Sequence, residues 1–170
     1  MSLIVIDVEA DGPYPGGYSM ISFGAVLLSD TNVRFHGLVR PISDHYLPDV
    51  LAISDTTREQ HLTYPDPAIT LAEFERWLQR FVKGRPIMIS DNPAFDWQWI
   101  NYYFWHFLNR NPLGFSARRI GDLYAGLMKD AFLSNDWKRF RRTPHTHNPV
   151  DDALGNAEAL LEFKKLGLKI

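Results

Sequence analysis

The chain has 170 residues, 45% hydrophobic and 14% aromatic, with a formal net charge of −2 and no cysteine. That composition fits one compact domain over 1–170 with material for a sizeable core. It excludes disulfides, thiolate metal sites and a cysteine nucleophile, and it suits a cytoplasmic setting. No apolar stretch has the length of a membrane span. The first residues lead straight into a strand, so no signal peptide is expected. Any grip on nucleic acid must be local, because the net charge supplies none.

Leu3-Ile4-Val5-Ile6 is an apolar run of the kind buried on both faces of a sheet, and Asp7-Val8-Glu9 follows it directly. Side chains alternate along a strand, so Asp7 and Glu9 share a face. Two like charges side by side at the end of a core strand call for a cation. The carboxyl ends of strands are also where open α/β sheets bind ligands. A loop rich in glycine and proline covers Asp11 to Gly17. Met20–Leu28 and Val33–Arg40 read as strands two and three, joined by a hairpin turn over Ser29 to Asn32. Residues 41–68, punctuated by Pro41, Pro48, Pro65 and Pro67, read as mostly irregular.

A helix is expected over about Leu71–Val82, with Thr70 as N-cap, Glu73 in a capping-box position and Gly84 past its end. Pro86–Ser90 reads as a fourth strand and Ala94–Leu108 as a helix. Arg119 and Ile120 close a short fifth strand, and Asp122 caps a helix ending near Lys129. The last helix spans Pro149–Lys165, with Asn148 as N-cap and Pro149 at its first position. The order β-β-β-α-β-α-β-α-α implies an α/β fold: a mixed five-stranded sheet, its first three strands antiparallel, flanked by helices.

Two more acidic positions stand out. Asp96 shares a helical stripe with Trp99, Ile100, Tyr103 and Phe107, so its carboxylate faces the core, where an unpartnered charge is costly. On the last helix Asp152 aligns with Asn156, Ala159 and Phe163, whereas Asp151 aligns with the polar Glu158, Glu162 and Lys165. Asp152 is the preferred site residue and Asp151 the alternative. His147 precedes the helix cap on a loop that can close over the site. Oxygen-only ligands select a hard cation, Mg2+ or Mn2+. Carboxylates from several elements can hold two such ions for in-line attack on a phosphodiester, and a nearby histidine suits a general base.

Asp7-Val8-Glu9, Asn92-Pro93-Ala94-Phe95-Asp96 and His147 with Asp152, in this order, resemble the DEDDh group of 3'-5' exonucleases of the ribonuclease H-like superfamily. Ser22-Phe23-Gly24-Ala25-Val26 is similar to the second strand of that group, and the resemblance covers nearly the whole chain. It implies a ribonuclease H-like fold and hydrolysis of single-stranded nucleic acid to 5'-mononucleotides with two ions of Mg2+ or Mn2+ per site. It implies that Asp7 bridges both ions, that Glu9 and Asp152 complete the shell of the first, and that Asp96 holds the second through water. The first ion acidifies a water, His147 removes its proton, and the second ion stabilises the departing 3' oxyanion. Two departures bear on 3'-end recognition: Asp11 stands where a threonine is usual, and Pro13 where some members place an apolar wedge.

The expected substrate contacts are Ala10, Tyr14, Trp97, Arg141 and Arg142. The aromatics flank the motifs and can stack on bases. The two arginines end the basic run Lys138-Arg139-Phe140-Arg141-Arg142, which can reach phosphates and is otherwise a solvated loop. RNA or short oligonucleotides are favoured over DNA, because no long basic surface for gripping a duplex is evident. No membrane partner is expected, and a homodimer is compatible with the aromatic content. The competing readings are an endonuclease or phosphodiesterase using the same ions, and a non-catalytic module binding nucleic acid or a polymerase. The second would be expected to have lost a carboxylate, and none is lost.

Overall fold

Five strands, β1 (Ser2–Ala10), β2 (Met20–Leu27), β3 (Arg34–Leu38), β4 (Pro86–Ser90) and β5 (Ala117–Arg119), form one sheet in the computed structural model, which describes residues 1–53 and 56–170. Their order is β3-β2-β1-β4-β5. β1, β2 and β3 pair antiparallel, while β1, β4 and β5 run parallel. The mixed sheet read from the sequence is therefore the one observed, with β1 at its centre.

The central place of β1 explains its composition. Ile4, Ile6 and Val8 enter one core with Phe23, Phe74 and Trp99, under α3 (Pro67–Phe81) and α4 (Pro93–Leu108). Val5 enters the other core with Ile89, Leu160 and Phe163, under α5 (Ile120–Met128) and α6 (Pro149–Lys165). Burying side chains of this size stabilises the fold by roughly 1.5–3 kcal/mol each. By strict alternation Asp7 and Glu9 continue the Val5 face, the face that α6 crosses.

Several boundaries differ from expectation. α3 starts at Pro67, not Leu71, because Asp66 caps it by accepting from Ala68 N–H at 3.0 Å and Pro67 suits the first turn. Thr70 lies inside that helix and donates its hydroxyl to the Leu38 carbonyl at 2.8 Å. The segment read as irregular contains two short helices, α1 (Pro48–Ile53) and α2 (Arg58–Leu62). Pro48 opens the first, and a capping box between Thr57 and Gln60 starts the second, so local caps overrode the proline punctuation. Residues 54 and 55 of that segment lie outside the described residues. Ile120 opens α5 instead of closing a strand; Arg119 holds the cap position and Asp122 falls in the first turn. The basic run begins in a 3-10 turn over Asp136–Phe140. Among the described residues, no helix is long and apolar enough to cross a membrane.

α6 reaches the sheet face that bears Asp7 and Glu9 through one close approach. Gly24 of β2 lies directly beneath its first turn, and a Cβ there would fall inside the backbone of Pro149 and Val150. Glycine is needed for space here, since extra atoms in a packed interior force backbone shifts costing about 1–3 kcal/mol. Gly24→Ala should therefore destabilise the protein by about that amount, measured as a lower urea midpoint against wild type. An unchanged midpoint would show that α6 is not seated on this glycine.

Candidate metal centre

β1 pairs with β4 only as far as Val5 and Ile89. Beyond that point the strands part, and the outward N–H groups of β1 need other partners. Asp96, in the first turn of α4, supplies one: its Oδ1 accepts from Val8 N–H at 3.1 Å. Of the sequence stripe, Asp96 is buried along with Trp99, Ile100 and Tyr103, while Phe107 is half-buried. The opening also exposes the face bearing Asp7 and Glu9 to the start of α6.

Asn148 caps α6, its Oδ1 accepting from Val150 N–H at 3.0 Å and Asp151 N–H at 3.3 Å. Asp152, fully buried, then turns back on the incoming loop. It accepts from Thr146 N–H at 3.2 Å and His147 N–H at 3.0 Å, and from the Arg141 side chain at 2.7 Å, while His145 Nδ1 lies 2.8 Å from its Oδ1. Glu158, two turns along, accepts from Arg142 N–H at 2.9 Å and Thr143 N–H at 2.8 Å. Two carboxylates of α6 thus staple the loop that carries His147. The turn is completed by His147 itself, whose φ of 59° lies in the left-handed region that a non-glycine residue enters at a cost.

Among the described residues, Asp7, Glu9 and Asp152 each offer an oxygen, and these atoms all lie within 4.8 Å of one another. Burial raises the Asp7 carboxyl well above the ordinary range, and Asp96, Glu9 and Asp152 push it further, while Arg141 opposes them. Glu9 is pushed up to about 8 by burial and by the charges of Asp152 and Asp96. Burial takes Asp96 to about 7 despite the bond from Val8 N–H. This combination of convergent oxygens and frustrated charge fits a hard divalent cation. Asp96 stands outside the closest three but acts on the charge of both β1 carboxylates. Asp151 is not in the cluster; its charge reaches His36 instead.

His147 sets Nδ1 3.9 Å from Glu9 Oε1, stays 40% exposed and lines a pocket of about 180 Å3. Ala10 lines that pocket, with Ser22, His36, Tyr64 and Asn148 among its polar lining. Ser22 and His36 were not anticipated, yet a signal existed: Ser22 pairs with Glu9 across β1 and β2, and His36 lies opposite Gly24 on the next strand. Tyr14 is 55% exposed and meets Tyr18 edge-on. Trp97 lines a separate shallow cleft with Tyr102, Trp105 and His106, away from the carboxylates. Phe95 packs against Trp99, as core residues do.

The basic run does not act as one patch. Lys138 pairs with Asp91 at 3.0 Å, Arg139 donates to the Tyr124 hydroxyl at 2.8 Å, and Arg141 is turned inward onto Asp152. Arg142 remains 71% exposed beside a cleft lined by Asp7, Lys138, Arg141 and Asn156.

No protein-family model matches the chain. A 3'-5' DNA exonuclease, Cap18 of Escherichia coli, is 30% identical over 174 residues, covering 98% of this chain and 93% of that protein. The nuclease domain of 3'hExo, a DEDDh family member solved bound to rAMP, superposes with a TM-score of 0.77 at 16% identity, covering 98% of this chain and 92% of that one. E. coli Exonuclease I in complex with a dT13 oligonucleotide superposes with a TM-score of 0.68 at 14% identity, over 96% of this chain and 41% of that one.

The raised carboxyls have a consequence for stability. Glu9 has an ordinary value of 4.5 and sits at about 8 when folded, so between those values the metal-free folded state binds more protons than the unfolded chain. Stability present near pH 4.5 is therefore lost as pH rises through about 8. In EDTA the melting temperature should fall between about pH 5 and about pH 8. Saturating Mn2+ should restore it, with a gain that widens as pH rises, because the ligands shed protons to bind. Melting curves indifferent to both chelator and pH would contradict a shared carboxylate site.

Proposed function

The chain belongs to the DEDDh 3'-5' exonucleases of the ribonuclease H-like superfamily, and on that footing we propose that it shortens single-stranded nucleic acid from the 3' end with two divalent ions, releasing 5'-mononucleotides. The observation that carries the proposal is the convergence of Asp7, Glu9 and Asp152, with His147 beside Glu9. The DNA activity in the name of the E. coli relative makes single-stranded DNA the first substrate to test; the absence of a long basic surface was the reason to favour RNA.

Asp7, Glu9, Asp96 and Asp152 would hold the ions. Bound there, Mg2+ or Mn2+ would acidify the attacking water and neutralise charge on the departing 3' oxygen. His147 is the general base: it lines the pocket beside Glu9, is partly solvated, and can take a proton from water and pass it to solvent. Oxygen from that water bonds to phosphorus, the bond to the 3' oxygen breaks, and that oxygen leaves to be protonated. The pocket lined by Ala10, Ser22, His36 and Tyr64 adjoins both Glu9 and His147, which suits it to the terminal nucleotide. Tyr14 and Trp97 are positioned to stack on bases only outside this pocket. Arg142, exposed beside the cleft next to Asp7, is the cation best placed for a backbone phosphate.

Incubation with Mn2+ or Mg2+ and 5'-labelled single-stranded DNA and RNA of one sequence tests the proposal. We expect a ladder shrinking from the 3' end, lost with Asp7→Ala and blocked by a modified 3' terminus. Cleavage of the blocked strand would point instead to an endonuclease, and no cleavage of either strand to a binding module. His147→Ala should lower kcat by about 10²–10⁴-fold while Mn2+ still raises the melting temperature. A variant that keeps full kcat would remove His147 from the role of base.

A further inference from the structure

Gly155 follows Asp152 by three residues on α6, so the two share a helix face. A Cβ at Gly155 would stand 2.6 Å from Arg141 Nε, 2.7 Å from the Thr143 carbonyl oxygen and 2.9 Å from Arg141 Nη2. The guanidinium therefore lies in a notch in the helix, and the Arg141 side chain is only 11% exposed. From that notch Nη2 donates to Asp152 Oδ1 at 2.7 Å. The same oxygen is met by His145 Nδ1 at 2.8 Å and Thr146 N–H at 3.2 Å. The other oxygen, Oδ2, accepts from His147 N–H at 3.0 Å. A carboxylate oxygen has two lone pairs, so Oδ1 is saturated and Oδ2 keeps room for a cation.

We propose that Arg141 is a positioning residue that fixes the rotation of the Asp152 carboxylate, reserving Oδ2 for the metal ion, and that Gly155 is the notch that admits it. The proposal rests on the metal-dependent reading above. The terminal torsion of an aspartate is broad and two-fold, so an unpinned carboxylate must be ordered each time an ion binds. Arginine suits the task better than lysine because its planar fork is pre-organised and weakly hydrated. His145 is the weaker anchor, since its side chain is 54% exposed. The same guanidinium lies close enough to Asp7 to favour its charged form.

A cation beside a metal ligand has two opposed effects, and their sign separates the readings. An arginine that merely occupies the ion's place competes with it, so its removal would tighten metal binding. An arginine that orients the ligand aids the ion, so its removal weakens binding. The experiment is calorimetric titration of Mn2+ into wild type, Arg141→Met, Arg141→Lys and Gly155→Ala without nucleic acid, with melting in EDTA measured alongside.

Arg141→Met should bind Mn2+ about 10–100-fold more weakly, the loss typical for a partner behind a metal ligand. Arg141→Lys should lose most of that affinity although it keeps the charge, and Gly155→Ala should lose it too, by displacing the guanidinium together with the Thr143 carbonyl. An unchanged Mn2+ affinity with a lowered melting temperature would make Arg141 only structural and overturn the proposal, as would tighter Mn2+ binding. Should Arg141→Met not fold, the lysine variant decides in the same way. Mn2+ bound with the expected affinities but no strand shortened would sink the exonuclease reading and leave the positioning of Asp152 standing.

Discussion

Like charge gathered at the carboxyl end of β1 is the constraint on which the rest of the structure depends. Two carboxylates 4 Å apart repel by about 4 kcal/mol at an effective dielectric near 20, and removal from water adds to that cost. The protein spends its own donors on one member of the group. Asp152 sits in the first turn of a helix, where the macrodipole favours an anion, and receives two backbone N–H groups and an arginine, with His145 beside it. Asp7 and Glu9 carry the unresolved part, visible as carboxyls raised far above their ordinary range. Protein donors neutralise Asp152 and leave the charge of Asp7 and Glu9 unmatched, an imbalance that a cation would relieve.

Holding Asp152 against β1 requires α6 to cross the sheet closely at its first turn. Gly24 supplies the space, and the small Ala153, Ala157 and Ala159 continue the buried face of the helix. The same helix then organises the loop before it, since Asp152 and Glu158 take the N–H groups of Arg142, Thr143, Thr146 and His147. The place of His147 beside Glu9 is in this way a consequence of α6 packing on β2. The first turn of α6, the Asp152 carboxylate and the loop bearing His147 are one mechanical unit.

Strong periodicity and strong caps made much of this legible in the sequence. The central strand, the shared face of Asp7 and Glu9, the buried stripe of α4 and the Asn148-Pro149 start of α6 all follow from patterns within a few residues. The choice of Asp152 over Asp151 followed from the helical wheel, which separates the two faces by polarity. Less legible was whatever depends on partners distant in sequence. Thr70 looked like a cap but serves Leu38, thirty-two residues away, while Asp66 caps the helix. The basic run looked like one patch and is three separate tasks, because Asp91, Tyr124 and Asp152 come from different elements. Glu158, a polar residue of the α6 wheel, staples the loop, a role that only the fold discloses.

The departure at Asp11 shows how the strand end sorts its acids. Asp7, Glu9 and Asp11 alternate, and an unbroken strand would place all three on the metal-binding face. The register shift between Glu9 and Ala10 interrupts that alternation. Asp11 is instead fully buried against Ser19 N–H at 2.5 Å and Arg58 Nη1 at 2.6 Å. Burial still raises its carboxyl, so the pair is held by geometry rather than by cheap electrostatics. Its second product is mechanical: Arg58 also donates to the Ser43 carbonyl and lies over Tyr46, while Leu47 N–H donates to the Asp11 carbonyl at 2.9 Å. The segment bearing Val50, Thr56 and Tyr64, one wall of the pocket beside Glu9, is tied to β1 through these contacts. Threonine could cap the turn but could not hold Arg58 by charge, so the acidic residue at this position belongs to the architecture of the wall and not to the metal cluster.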